Sequence, residues 1–201
     1  VYNFSNKLKK IYNSVMVRSN LIIAGSNFVF NHIHKNYGEL ITSKKRLLVI
    51  FRGINTEYFD NSKITSEKVK SFKSLVNFDP EKFKILLPGR LTRWKGHEMF
   101  IESLFILKTK YGKENFQAVI LGSDQGRKVY KKKLLNLVQR YRLGQKIKFI
   151  NNCKEMPLAY SLADAVVSAS VEPEAFGRVS VEAQAMGKII VASNLGGSKE
   201  T

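Results

Sequence analysis

The chain has 201 residues, 44% hydrophobic and 25% charged, an ordinary globular balance that excludes a disordered or fibrous protein. One cysteine, Cys153, excludes an intramolecular disulfide framework and fits a reducing compartment, and no apolar run approaches the roughly 20 residues of a membrane span. The net charge of +18 sits in the first 150 residues, with 30 Lys/Arg against 10 Asp/Glu; from Asn151 onward the count is 4 against 6.

Residues 3–17 place Phe4, Leu8, Ile11, Tyr12 and Val15 at helical spacing, which predicts an amphipathic helix with a basic opposite face. Leu21–Ala24 reads as a short strand, and Ser26 or Asn27 as the cap of a helix over Phe28–Tyr37. Leu47–Phe51 is a second strand. The polar stretch 60–80 reads as a solvated helix face or linker. From Glu81 a regular alternation begins. Strands are expected at Phe83–Leu87, Gln117–Leu121, Ile147–Ile150, Ala165–Ala169 and Lys188–Ala192. Helices are expected at His97–Tyr111, Arg127–Leu143, Met156–Ala163 and from Gly177 to a C-cap at Gly187. Five strands alternating with helices predict an α/β fold, a Rossmann-like parallel sheet with helices on both faces, plus a partial second α/β domain. The expected division is 1–52, an incomplete first domain; 53–80, a passage and linker; and 81–201, the Rossmann-like domain. Val1 at one end and Thr201, just past a Gly-Gly pair, at the other read as cuts in a longer protein.

Chemistry concentrates between Ser170 and Gly187. In a parallel sheet, ligands bind beyond the C-terminal ends of the strands. Backbone N–H groups at Gly177, Arg178 and Val179 would open a helix there and attract an anion. Glu174 and Glu182, with seven residues between them, bracket that site. Neither would bind a phosphate, but both can accept hydrogen bonds from sugar hydroxyls. Two carboxylates that bracket an anion site do not suit glycoside hydrolysis, which needs them face to face across a bond. The stretch therefore reads as a site for a phosphorylated, hydroxyl-rich ligand. There is no Asp-x-Asp, and His32, His34 and His97 form no ligand cluster, so no metal and no cofactor is expected. Nucleic acid is disfavoured, since no groove-reading motif accompanies the charge. The basic surface is either a solvated face or one that meets anionic lipid headgroups.

Glu174, Phe176, Gly177, Glu182, Ala183, Ala185 and Gly187 resemble the signature of the retaining glycosyltransferases of family 4, also called group 1. Val49–Phe59 looks like that family's interdomain passage, with Arg52 and Asn55 departing from its usual residues. The Gly89–Gly96 loop is similar to the one whose Arg and Lys contact the donor diphosphate, positions held here by Arg90 and Lys95. The physical reason is that a nucleoside diphosphate gains negative charge as it leaves, and a waiting cation stabilises it. The resemblance implies a GT-B fold, Glu174 beside the transferred sugar, Glu182 on the ribose, and backbone amides from Phe176 to Val179 on the distal phosphate. It implies a metal-independent transferase that moves a sugar from a nucleoside diphosphate sugar to an acceptor hydroxyl with retention. The acceptor would be a carbohydrate or glycolipid in surface polysaccharide synthesis. The setting would be the cytoplasm, with peripheral contact at the inner face of the cytoplasmic membrane. The alternatives are a catalytically inactive nucleotide-sugar-binding fragment and a GT-B-fold nucleotide-sugar isomerase.

Overall fold

The computed structural model describes residues 7–42 and 46–201, in two compact units. The first comprises residues up to Gly53 together with Pro173–Gly177 and Asn194–Thr201; the second comprises Ile54–Glu172 and Arg178–Ser193.

The second unit is a five-stranded parallel sheet of β3 (Phe83–Pro88), β4 (Phe116–Leu121), β5 (Ile147–Ile150), β6 (Ala165–Ser168) and β7 (Ile189–Ala192), in the order β5-β4-β3-β6-β7. The register runs Phe83 to Phe116 through Pro88 to Leu121. Alternate residues of each strand face opposite ways. Ile85, Leu87, Ala118 and Ile120 join one core with Phe100, Ile101 and Leu104 of α4 (His97–Thr109) and Leu134 and Val138 of α5 (Lys128–Arg140). Leu86, Val119, Leu121 and Val166 join the other core. It takes Val76 of α3 (Ser66–Val76), Leu158 and Tyr160 of α6 (Met156–Leu162) and Ala183 of α7 (Arg178–Ala185). Strands buried on both faces explain the continuous apolar runs of the sequence. The outer strand β7 differs, with Ile189 and Val191 largely exposed.

The first unit holds α1 (Lys7–Asn13), β1 (Leu21–Ala24), α2 (Asn27–Tyr37) and β2 (Arg46–Val49). The two strands pair in parallel, and Ile22 and Ala24 pack with Ile33, Tyr37 and Val17. The other face of the pair is exposed at Leu21 and Ile23. Of the apolar stripe expected along residues 3–17, Ile11, Tyr12 and Val15 are exposed, while Val17 is buried. Phe4 and the Leu8 side chain lie outside what is described. Ser26 caps α2 as expected, its Oγ accepting from Val29 N at 3.1 Å. The stretch expected to be helical face or linker carries α3.

Two glycines set how closely the strand ends approach in the second unit. A Cβ on Gly122 would stand 2.0 Å from the Gly89 carbonyl oxygen. A Cβ on Gly96, which has φ +71°, would stand 1.7 Å from the Ala169 carbonyl oxygen. In both cases the obstacle is backbone, which cannot swing aside. Gly122→Ala should therefore cost about 1–3 kcal/mol as an overpacking change, read as a lower urea midpoint. Gly144→Ala, with open space around the new methyl, should leave the midpoint unchanged.

His97 at the start of α4 is fully buried, and neither ring nitrogen has a hydrogen-bond partner of good geometry among the described residues. Burial holds its pKa down at about 4, against 6.5 ordinarily, opposed by the Thr92 and Gly89 backbone nearby. The unfolded chain thus takes up the proton first as pH falls. His97 contributes stability that is complete above about pH 6.5 and lost toward about pH 4, on the order of 3 kcal/mol in all. His97→Gln should flatten the pH dependence of the urea midpoint over that window; an unchanged slope would remove His97 as its source.

Candidate functional site

The order of the sheet reverses direction between β3 and β6, so the loops leaving these two strands part at a crevice, the usual place for a ligand in such sheets. Both loops are fixed by backbone bonds. Gly89 N donates to Leu121 O at 2.8 Å and Leu91 N to Ser123 O at 3.0 Å, which ties the β3 loop to the end of β4. Val171 N donates to Trp94 O at 2.8 Å, which ties the β6 loop to the β3 loop.

Within the β3 loop, Leu91 is buried and anchors the turn, which leaves Arg90 exposed beside it. A 3-10 turn over Arg93–Lys95 brings the Lys95 stem alongside Gly89, with Nζ 4.4 Å from the Trp94 ring centroid. A cation over an indole face is attracted to it. Trp94 thus holds Lys95.

On the far side of the crevice α7 begins at Arg178. Its Nη2 lies 2.9 Å from Glu182 Oε1, one turn on. Glu182 Oε2 accepts from the Tyr160 hydroxyl at 2.7 Å. Both carboxylate oxygens are engaged, and Glu182 is only 7% exposed. Tyr160 is itself fully buried, and burial first, then the Glu182 charge, pushes its phenol far up. It therefore stays a donor at any ordinary pH. The Tyr160–Glu182 bond spans 22 residues and has no local sequence signal; a buried tyrosine needing a partner is the one hint available.

The other expected residues, Glu174, Phe176 and Gly177, lie in the first unit. Glu174 forms a parallel bridge with Gly196, and Gly197 N donates to Glu174 O at 2.7 Å. Phe176 is buried, and Gly177 has φ +99°. Ser26 Oγ donates to Ala175 O at 2.5 Å. Glu200, which the sequence reading left without a role, places Oε2 2.8 Å from Asn27 N and Oε1 2.7 Å from Phe28 N. Its carboxylate caps the N-terminus of α2 and meets the positive end of that helix. The structure thus brings Arg90, Lys95, Arg178, Val179 and Glu182 to one end of the second unit's sheet. It places Glu174, Phe176 and Gly177 with α2 in the first. Among the described residues, no group of three or more His, Cys, Asp or Glu could hold a metal ion, and no helix is long and apolar enough to cross a membrane.

The family model for group 1 glycosyl transferases matches residues 69–201. Among curated relatives, an uncharacterised glycosyltransferase of Methanocaldococcus jannaschii is 34% identical over 161 residues, 79% of this chain and 39% of the relative. The D-inositol 3-phosphate glycosyltransferase of Paenarthrobacter aurescens is 34% identical over 127 residues, 62% of this chain and 30% of the relative. Among solved structures, a glycosyltransferase of Rickettsia africae superposes with TM-score 0.84 at 36% identity, covering 100% of this chain and 51% of that one. Anabaena HepE, solved in complex with UDP and glucose, has TM-score 0.82 at 24% identity, over 98% of this chain and 51% of its own. The chain spans about half the length of these structures and 39% or less of those two curated relatives. Its doubly covered parallel sheet matches GT-B glycosyltransferase structures, and the chain belongs to the group 1 glycosyl transferases.

Proposed function

We propose that this chain supplies the donor-binding half of a glycosyltransferase that moves a sugar from a nucleoside diphosphate sugar to an acceptor hydroxyl, with retention of configuration. The observation that carries this reading is the pinned β3 loop, with Arg90 exposed and Lys95 held over Trp94 at the C-terminal end of the central strand. As the glycosidic bond breaks, its electron pair goes to the diphosphate oxygen. Cations already in place stabilise that charge without reorganising. Arg90 offers a planar fork to phosphate oxygens, Lys95 a compact charge. Amides from Phe176 to Val179 would receive the distal phosphate, Glu182 the ribose, and Glu174 the sugar hydroxyls. The UDP and glucose in HepE support a nucleotide sugar as donor. The acceptor is a carbohydrate or glycolipid, and the pathway is surface polysaccharide or glycolipid synthesis. The basic first 150 residues suit peripheral contact with an anionic membrane face from the cytoplasm.

Glu182→Gln tests the ribose role without emptying the core. The amide still offers an acceptor to Tyr160, so the variant should fold. Nucleoside diphosphate binding, measured by calorimetry with UDP, should weaken by about 1–3 kcal/mol. Unchanged affinity in the folded variant would remove Glu182 from the donor site. Glu182→Ala should in addition lower the urea midpoint, because a buried Tyr160 hydroxyl without a partner costs about 1–3 kcal/mol.

Cationic side chains in the role of a metal ion predict that the intact enzyme transfers sugar in excess EDTA. Activity lost with EDTA and restored by magnesium or manganese would overturn this electrostatic assignment.

A further inference from the structure

In the first unit, the stretch Glu174–Gly177 is gripped from two sides, and both grips end on α2. On one side stands Ser26, the N-cap of α2, which is fully buried. Its Oγ donates to Ala175 O at 2.5 Å and accepts from Val29 N at 3.1 Å. A hydroxyl has one proton to give and two lone pairs, so both bonds are made at once. One side chain thus closes the start of the helix and holds the loop backbone.

On the other side lies the 3-10 turn Gly197–Glu200. Glu174 bridges to Gly196, and Gly197 N donates to Glu174 O. The two backbones touch here. A Cβ on Gly197 would stand 2.4 Å from Ala175 O, and one on Gly196 would stand 2.6 Å from Glu174 O. A Cβ on Gly177 would meet Ser198 Oγ and Thr201 Oγ1, both at 3.0 Å. The turn fits against the loop with no room to spare, so displacing one displaces the other.

Glu200 pins the turn. Its carboxylate accepts from Asn27 N at 2.8 Å, Asn27 Nδ2 at 3.0 Å and Phe28 N at 2.7 Å. Such charge-assisted bonds are about twice as strong as neutral ones, and these also meet the positive end of an 11-residue helix. That helix is itself seated, with Ile33 and Tyr37 packed against Ile22, Ala24 and Val17. Glu200 is exposed, so its three bonds supply position and little core packing.

We propose that Ser26 and Glu200 are positioning residues of the donor site, which clamp the Glu174–Gly177 loop to the N-terminus of α2. They act through the loop. They keep it where Glu174 and the amides of Phe176 and Gly177 reach the donor, so the fraction of molecules able to bind stays high. The inference rests on the donor reading given above and adds two residues to which that reading gives no part. It also has a consequence that a plain loss of stability lacks. The clamped loop is assigned the distal phosphate and the sugar, whereas Glu182, in the second unit, is assigned the ribose. Loosening the clamp should therefore weaken a nucleoside diphosphate and spare the monophosphate.

The test titrates the full chain with UDP, ADP and GDP, and compares the tightest binder with its own monophosphate. Glu200→Ala, an exposed change, should weaken the diphosphate about fivefold or more, the effect of a loop in place only about a fifth of the time. The monophosphate should stay within about twofold of its original affinity. Glu200→Gln keeps one acceptor oxygen, and its affinity for the diphosphate should fall between the two. Ser26→Ala should weaken the diphosphate in the same direction; should loss of the cap disturb folding, the Glu200 variants suffice. Exchange of the Gly197 amide, which donates to Glu174 O, should speed up in Glu200→Ala, while that of the β3 amides should not. Unchanged diphosphate affinity in the folded Glu200→Ala variant would overturn the proposal. Equal weakening of diphosphate and monophosphate would overturn it too, as a general loss of structure. If none of the three diphosphates binds the unaltered chain, the donor reading fails and takes this inference with it. Binding by the unaltered chain is thus what tells the two failures apart.

Discussion

Everything in the second unit's functional end depends on backbone meeting backbone. The loops after β3, β4 and β6 approach so closely at Gly89–Gly122 and Gly96–Ala169 that no Cβ fits between them. This contact fixes where the β3 loop turns, and with it which side chains leave the sheet. Leu91 is driven into the core, so Arg90 has nowhere to go but outward. The turn over Arg93–Lys95 then folds the lysine back over Gly89 and Trp94. If the loop stabilises developing charge, as proposed above, it benefits from this rigidity, since a cation that must first be ordered stabilises less.

Two glutamates repeat that logic by different means. Glu182 is held by a core tyrosine on one oxygen and an arginine on the other. Glu200 is held by the first amides of α2. In each case at least one donor comes from an element distant in sequence, Tyr160 for Glu182 and α2 for Glu200. The Arg178 side chain is more than half exposed, so its pairing with Glu182 contributes modestly. The bond to Tyr160 is sheltered and carries more, because Tyr160 also packs against Phe59.

The sheet was legible because burial on both faces writes continuous apolar runs, and the five strands of the second unit lie within a residue or so of where those runs fall. Helix starts were legible where a cap is local, as at Ser26. What the sequence hides is pairing at long range. Nothing near Glu200 says that it caps a helix 173 residues earlier, and nothing near Glu182 says that Tyr160 will reach it. The same limit explains the grouping of Pro173–Gly177 and Asn194–Thr201 with the first unit. Those loops read as part of the strands they leave, while their contacts lie with α2. The stripe of Ile11, Tyr12 and Val15 shows the converse. Periodicity predicts an apolar face correctly but cannot say whether anything covers it.

The burial of Glu182 narrows what it can do. An ionised carboxylate offers about four lone-pair directions, and Tyr160 and Arg178 take one each. About two remain, which would match the two hydroxyls of a ribose in the proposed donor site. Both oxygens already meet a donor, so Glu182 is held in one orientation by Tyr160 and Arg178. In the proposed reaction, charge developing on the donor would be met by Arg90 and Lys95, which stand at the end of β3 in the same sheet.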